Sequence, residues 1–106
     1  MEKYIKEGNV AVLVSPGYGA GWSTWVREAV DESMFDVTLV KHFLGEEVLS
    51  DVQLESYLTD KYPNSYTNGV HDCVVKWVPV GSRFVIDEYD GYEILTIISP
   101  DYGILA

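Results

Sequence analysis

Asn9-Val-Ala-Val-Leu-Val-Ser15 is the stretch that most limits the fold. Five apolar residues in succession, three of them valine, leave no alternation between a wet and a dry face. They predict a strand buried on both sides. Pro16-Gly17 ends it, and Gly17, Gly19 and Gly21, falling at every second position, exclude regular structure through Gly21.

The middle of the chain has helical spacing. Ser23 or Thr24 is placed to cap a short helix running through Val30, with Val26, Ala29 and Val30 on one side. Phe35, Leu39, Val40 and Phe43 recur at helical intervals, and Gly45 is a natural stop. Ser50-Asp-Val-Gln53 has the form of a capping box for a further helix carrying Leu54, Tyr57, Leu58 and Lys61, which Pro63 ends.

The last third reads as antiparallel sheet. His71–Val78 sets His71, Cys73, Val75 and Trp77 on one face; Val80-Gly81-Ser82 turns the chain; Arg83–Tyr89 alternates around Phe84 and Ile86. Asp90-Gly91 is a strong hairpin signal, and Tyr92–Ser99 returns as a strand whose Ile94-Leu-Thr-Ile-Ile98 is apolar on both faces, which predicts a central position. The reading is a single α+β domain over residues 1–106. Its sheet is four-stranded and mainly antiparallel, with two or three helices inserted after the first strand and packed on one face.

Charge narrows the partners. Seventeen acids against seven Lys and Arg give a formal net charge of −10 in 106 residues. Direct nucleic-acid binding needs a dense cationic face, and an anionic membrane is disfavoured for the same reason. The chain is 47% hydrophobic, enough for a core. A lone Cys73 excludes an internal disulfide and a Cys-based zinc cage and fits a reducing compartment. No apolar run reaches the ~20 residues of a membrane span, and Met-Glu-Lys-Tyr-Ile-Lys-Glu is no signal peptide. A cytoplasmic location is expected.

Few segments carry chemistry. Ser15–Trp25 combines glycines, hydroxyls at Ser15, Ser23 and Thr24, and rings at Tyr18, Trp22 and Trp25. Successive amides of such a loop can point at an anion, and the rings can stack on a base. The loop lacks the Gly-Lys-Ser/Thr ending of a P-loop and the spacing of a dinucleotide fingerprint. The same residues also suit a tight connection with tryptophans as core anchors. Asp87, Glu88 and Asp90 could hold a hard cation but fit an acidic hairpin equally, without EF-hand spacing. His71 and Cys73 could form a nucleophile pair; a turn residue beside a small core residue explains them as well. His42 reads as a helix-face residue rather than a ligand. Arg83 and Lys76, on neighbouring predicted strands, could clamp a phosphate or pair with Asp72, Asp87 or Glu88; Arg27 and Lys41 are the other cations weighed.

Val10-Ala-Val-Leu-Val-Ser-Pro-Gly-Tyr-Gly-Ala-Gly-Trp-Ser-Thr-Trp25 and Phe84-Val-Ile-Asp-Glu-Tyr-Asp-Gly91 together cover about a quarter of the chain. They resemble a group of small proteins of bacteriophages and their bacterial hosts. That group has a similar strand followed by Gly-Ala-Gly-Trp and a Glu-Tyr-Asp-Gly hairpin near its end. The resemblance implies a phage-encoded accessory protein of the host cytoplasm, of the kind that counters host immunity, and brings no enzyme activity with it.

Two functions suit these features. The first is a non-catalytic sponge for a small nucleotide-like ligand, bound by Ser15, Gly17, Tyr18, Gly19, Gly21, Trp22, Ser23, Thr24, Trp25, Arg27 and Arg83, in a symmetric homo-oligomer with shared pockets. The alternative is an acidic inhibitor or nucleic-acid mimic that occupies a basic host defence protein. No catalytic residue, metal ligand or cofactor is assigned, since no triad, metal-ligand set or pair of acids at a recognisable spacing emerges.

Overall fold

The computed structural model describes residues 1–98 and 102–106. Ser99, the expected end of the last long strand, and the acid Asp101 lie outside the described residues. The elements run β1 (Ile5–Lys6), β2 (Asn9–Val14), α1 (Val30–Phe35), α2 (Val37–Phe43), α3 (Asp51–Lys61), a 3-10 turn (Asn68–Asp72), β3 (Val74–Pro79), β4 (Arg83–Tyr89), β5 (Tyr92–Ile98) and β6 (Ile104–Leu105).

The domain is α+β, with two antiparallel three-stranded sheets, β1-β2-β3 and β5-β4-β6, in place of the expected four-stranded one. The division falls at residues 79–82. Pro79 has no amide to donate. The Val80 amide bonds to Gly8 in the first sheet, while Gly81 and Ser82 exchange bonds with Ala106 beside the second. The turn is thereby tied to both sheets, and β4 starts a new one.

β2 is buried on both faces, as its sequence requires, with a different layer on each. Ala11 and Leu13 face Leu39, Val40, Leu54, Leu58 and Tyr62 of the helical layer. Val10, Val12 and Val14 face Phe84 of the second sheet together with Met34 and Phe35 of α1. The helices therefore do not share one face: α1 packs on the face of β2 that meets the second sheet, whereas α2 and α3 cover the other face of β2. The three α-helices do lie between β2 and β3.

Other expectations meet mixed outcomes. Ser50 and Gln53 form the capping box of α3 in full. Asp90 and Gly91 take φ of 51° and 85°, the left-handed pair a two-residue hairpin needs. The helix expected from Ser23 to Val30 is absent; turns occupy that stretch, and α1 starts only after Ala29, whose φ is 50°. The periodic run Phe35–Phe43 is split, because Asp36 takes a non-helical conformation and caps α2 through the Leu39 amide. His71 belongs to the 3-10 turn rather than to a strand. β5 is an edge strand, not a central one.

Candidate functional site

The glycine loop after β2 does hold an anion, and that anion is part of the chain. Glu93, on β5, is 1% exposed. Its Oε1 accepts the Ser15 amide at 2.9 Å; its Oε2 accepts the amides of Trp22 at 2.8 Å and Thr24 at 3.1 Å and the Thr24 hydroxyl. Its own amide donates to the Ser15 carbonyl at 2.8 Å. Successive N–H groups of an irregular loop form an anion-binding concavity, and these donors give the buried carboxylate the hydrogen bonds it loses by leaving water. The loop and β5 thus complete one another.

Close backbone approach explains glycines here. A Cβ on Gly69 would sit 1.9 Å from the Gly21 carbonyl oxygen, and one on Gly91 would sit 2.4 Å from the Ala20 nitrogen. The Gly19 amide donates to the Asp90 carbonyl at 2.9 Å, and the Ser15 hydroxyl to the Ala20 carbonyl at 3.0 Å. The two motifs that stand out in the sequence, the Ser15–Trp25 run and the Glu-Tyr-Asp-Gly hairpin, are therefore each other's packing partners.

The residues expected to bind a ligand separate into three groups. Ser15, Gly21, Trp22 and Ser23 are buried. Trp22 is a core anchor: its indole N–H donates to the Ser33 carbonyl at 2.7 Å, and its ring meets Tyr62 edge-on. Gly17 packs on the Asp72 carboxylate, and Thr24 is spent on Glu93. On the outside are Tyr18, its ring against Tyr92; Gly19; half-buried Trp25, its ring against Tyr66; and Arg27, whose amide donates to the Ser65 hydroxyl. Arg83 does not join them. It opens β4 while the hairpin tip closes it, roughly 20 Å away at strand rise, and its guanidinium donates to the Gly103 carbonyl. Nor do Arg83 and Lys76 form a clamp, since β3 and β4 belong to different sheets. The loop amides expected to meet ligand phosphates are those that Glu93 occupies.

What the joint leaves on the surface is aromatic and acidic. Tyr18 is 71% and Tyr89 77% exposed. Tyr89 lies opposite Tyr92 in the hairpin register, and Tyr92 stacks on Tyr18 with ring centres 5.1 Å apart. Asp87 shares the sheet face of Tyr89 and Tyr92, Asp90 sits in the turn between them, Glu88 lies on the opposite face and Asp72 lies beside Gly17; among the described residues none of the four is ion-paired.

A second buried acid, Asp36, organises the helical layer. It accepts from the hydroxyls of Tyr57 at 2.9 Å and Tyr62 at 2.7 Å, from the Lys61 ammonium at 3.2 Å and from the Leu39 amide at 3.1 Å. Nothing in the sequence pattern set it apart except an acid between Phe35 and Val37. A cleft lined by Glu2, Glu32, Val37, Thr38, Tyr57 and Lys61 opens beside it. Every buried polar side-chain atom among the described residues has a hydrogen-bond partner, so the cluster presents no idle group for chemistry.

Cys73 and His71 do not pair. The thiol is buried over the Gly69 carbonyl, while the imidazole is exposed beside Glu55. His42 accepts the Leu49 amide through Nδ1, a structural role. Among the described residues no group of three His, Cys, Asp or Glu side chains comes together as a metal site, and no helix is long and apolar enough to cross a membrane.

Burial, then the nearby charges of Glu93 and Asp72, push the Cys73 thiol well above its ordinary 9.0. Burial and the bond to Asp36 push the Tyr62 phenol above 10.0. Both groups bind their protons more tightly folded than unfolded, so the stability they protect is complete below pH 9 and is lost as pH rises beyond it. Each group contributes a slope of about 1.4 kcal/mol per pH unit once its unfolded counterpart ionises. Urea midpoints should therefore fall from about pH 9 upward, and Cys73→Ala should delay the onset toward pH 10. A midpoint that stays level through pH 11 would refute this.

No family model matches the chain, and neither the curated proteins nor the solved structures yield a significant match.

Proposed function

We propose that this is a non-catalytic binding protein that engages a cationic protein partner through the surface of the loop–hairpin joint. One observation carries the reading: two tyrosines, 71% and 77% exposed, project from a joint whose buried polar side-chain atoms are satisfied, and among the described residues Asp72, Asp87, Glu88 and Asp90 of the same region have no ion pair. Tyrosine gives large contact area at small entropic cost and offers its face to Lys and Arg. Asp72, Asp87, Glu88 and Asp90 add steering that fades with salt. Against nucleic-acid mimicry, the acids are spread over α1, α3, the Gly45–Leu49 connection and the hairpin rather than set in two rows. A basic host protein, in the setting that the sequence resemblance implies, is the natural partner class.

Calorimetric titration with an arginine-rich peptide tests the site. Tyr89→Ala and Asp90→Asn should each weaken binding about 5- to 30-fold, as expected for loss of roughly 1–2 kcal/mol at an interface anchor. Asp51→Asn and Glu55→Gln on α3 serve as equal-charge controls and should change it less than twofold. Equal losses from the tip and from α3 would reduce the effect to net charge and overturn the assignment. The rival nucleotide-sequestering reading now rests on Trp25 and Arg27. Heat on titration with cyclic dinucleotides or ADP-ribose, abolished by Trp25→Ala and not by Tyr89→Ala, would favour that reading over the cationic partner.

A further inference from the structure

Among the described residues Tyr92-Glu-Ile-Leu-Thr-Ile-Ile98 has a neighbouring strand on one side only. In an antiparallel ladder alternate residues turn their backbone groups toward the partner and away from it. The two-residue hairpin makes Tyr89 and Tyr92 a bonded pair, so Ile94, Thr96 and Ile98 address β4 while Glu93, Leu95 and Ile97 address the open side. Ser15 takes the Glu93 position. Among the described residues Leu95 and Ile97 have no backbone partner on that side. Natural edges are blunted by charge, proline or a bulge, and Ile94–Ile98 has no charged residue and no proline, in unbroken register with β4. Ile94 and Ile97, beside the open groups, are each 52% exposed.

We propose that β5 is the seam of a two-fold symmetric dimer of this chain, formed by antiparallel pairing of β5 with β5 of a second copy about Thr96. The register is self-complementary. With the axis at Thr96, Leu95 lies opposite Ile97 of the second copy, both with outward backbone groups, so each pair exchanges two N–H···O bonds. Ile94 lies opposite Ile98, Thr96 opposite Thr96, and no charge enters the seam. The product is one six-stranded sheet, β6-β4-β5-β5-β4-β6, with Ile94 and Ile98 of both copies in an apolar row on one face and Leu95 and Ile97 paired on the other.

Charge selects the antiparallel orientation over the parallel one. Each chain carries −10, so any seam must keep the acidic regions apart. Antiparallel pairing about Thr96 sends the two Asp87–Asp90 tips to opposite ends, roughly 25–30 Å apart at about 3.4 Å per residue, well beyond the ~8–10 Å screening length. A parallel seam would set them side by side. Along one row of the joined sheet come Arg83, Ile98, Ile94 of the second copy and then its Asp87, all directed to one face. Each acidic tip therefore looks toward the other copy's Arg83.

Sedimentation equilibrium on the full chain, from micromolar to near-millimolar, tests the seam. The wild type should show the mass of two chains, with association that strengthens as salt screens the net repulsion; binding of a cationic peptide would instead weaken. Thr96→Lys places two ammonium groups face to face, and Ile97→Pro removes an outward donor that no described residue of the monomer accepts. Each should weaken dimerisation at least tenfold while circular dichroism and urea midpoint show the fold retained. Val48→Lys, at an exposed apolar site away from β5, should leave the dimer intact. A wild type that stays monomeric to near-millimolar concentration, or a dimer untouched by both β5 variants, or one equally lost in Val48→Lys, overturns the proposal.

Discussion

Glu93→Gln should lower the unfolding free energy by about 2–3 kcal/mol, and Glu93→Ala by about 3–5 kcal/mol, the range for removing one partner from a buried charged group. The reason is arithmetic of donors. Three backbone amides and one hydroxyl converge on this carboxylate, and all of them belong to a loop with no helix or sheet to take them instead. Glutamine keeps the shape but replaces one acceptor oxygen with an N–H2 group facing donors. Alanine leaves the amides of Ser15 and Trp22 buried without partners. A domain of this size has only about 5–15 kcal/mol in total, so the alanine variant approaches the limit of folding. Urea denaturation gives the magnitude. Hydrogen exchange gives the location, because protection should vanish first from the amides of Trp22 and Thr24. A Glu93→Gln variant within about 0.5 kcal/mol of wild type would mean that the carboxylate does not hold the loop.

Asp36→Ala is the second large effect, at about 3–5 kcal/mol. The loss has unequal parts. Lys61 is about a third exposed and recovers hydration. The Tyr62 hydroxyl is buried and does not, and the Leu39 amide loses its cap. A double-mutant cycle separates these. Tyr62→Phe alone should cost about 1–1.5 kcal/mol; in the Asp36→Ala background it should cost nothing or stabilise, since it removes a hydroxyl already orphaned. Additive losses would show that the two groups are not coupled.

Where the sequence was informative, the signal was local. The capping box at Ser50 and Gln53, the Asp90-Gly91 turn and the doubly buried Val10–Val14 each depend on residues a few positions apart, and each forms as expected. The failures have a common cause. Glu93 precedes the apolar run Ile94–Ile98 and carries no local mark of its role, because its partners lie 69–78 residues earlier. A signal was present in principle: a lone acid within an apolar strand and a glycine loop with amides to satisfy are complementary. Asp36, between Phe35 and Val37, was masked by a helical periodicity that spans two helices. The apolar run of β5 suggested a central strand, because apolar residues on both faces do not by themselves tell an edge strand from a flanked one; Ile94 and Ile97 stay 52% exposed at the edge. Tryptophan 22 read equally as stacking platform or core, and its 0% exposure decides for the core. The acid-and-tyrosine surface was not legible at all, since Tyr18 reaches the hairpin tyrosines only through its contact with Tyr92, and Asp72 reaches the loop only at Gly17.

The Glu93 joint also sets a schedule. Ser15 leaves the ribosome 78 residues ahead of the carboxylate it needs, which at about 5–20 residues per second is roughly 4–16 s of synthesis. Throughout that interval the loop has no anion, and Trp22 has no settled seat. The loop cannot gather its donors around a carboxylate until residue 93 has been made, so a chain cut short before that residue leaves Ser15, Trp22 and Thr24 without the acceptor they share.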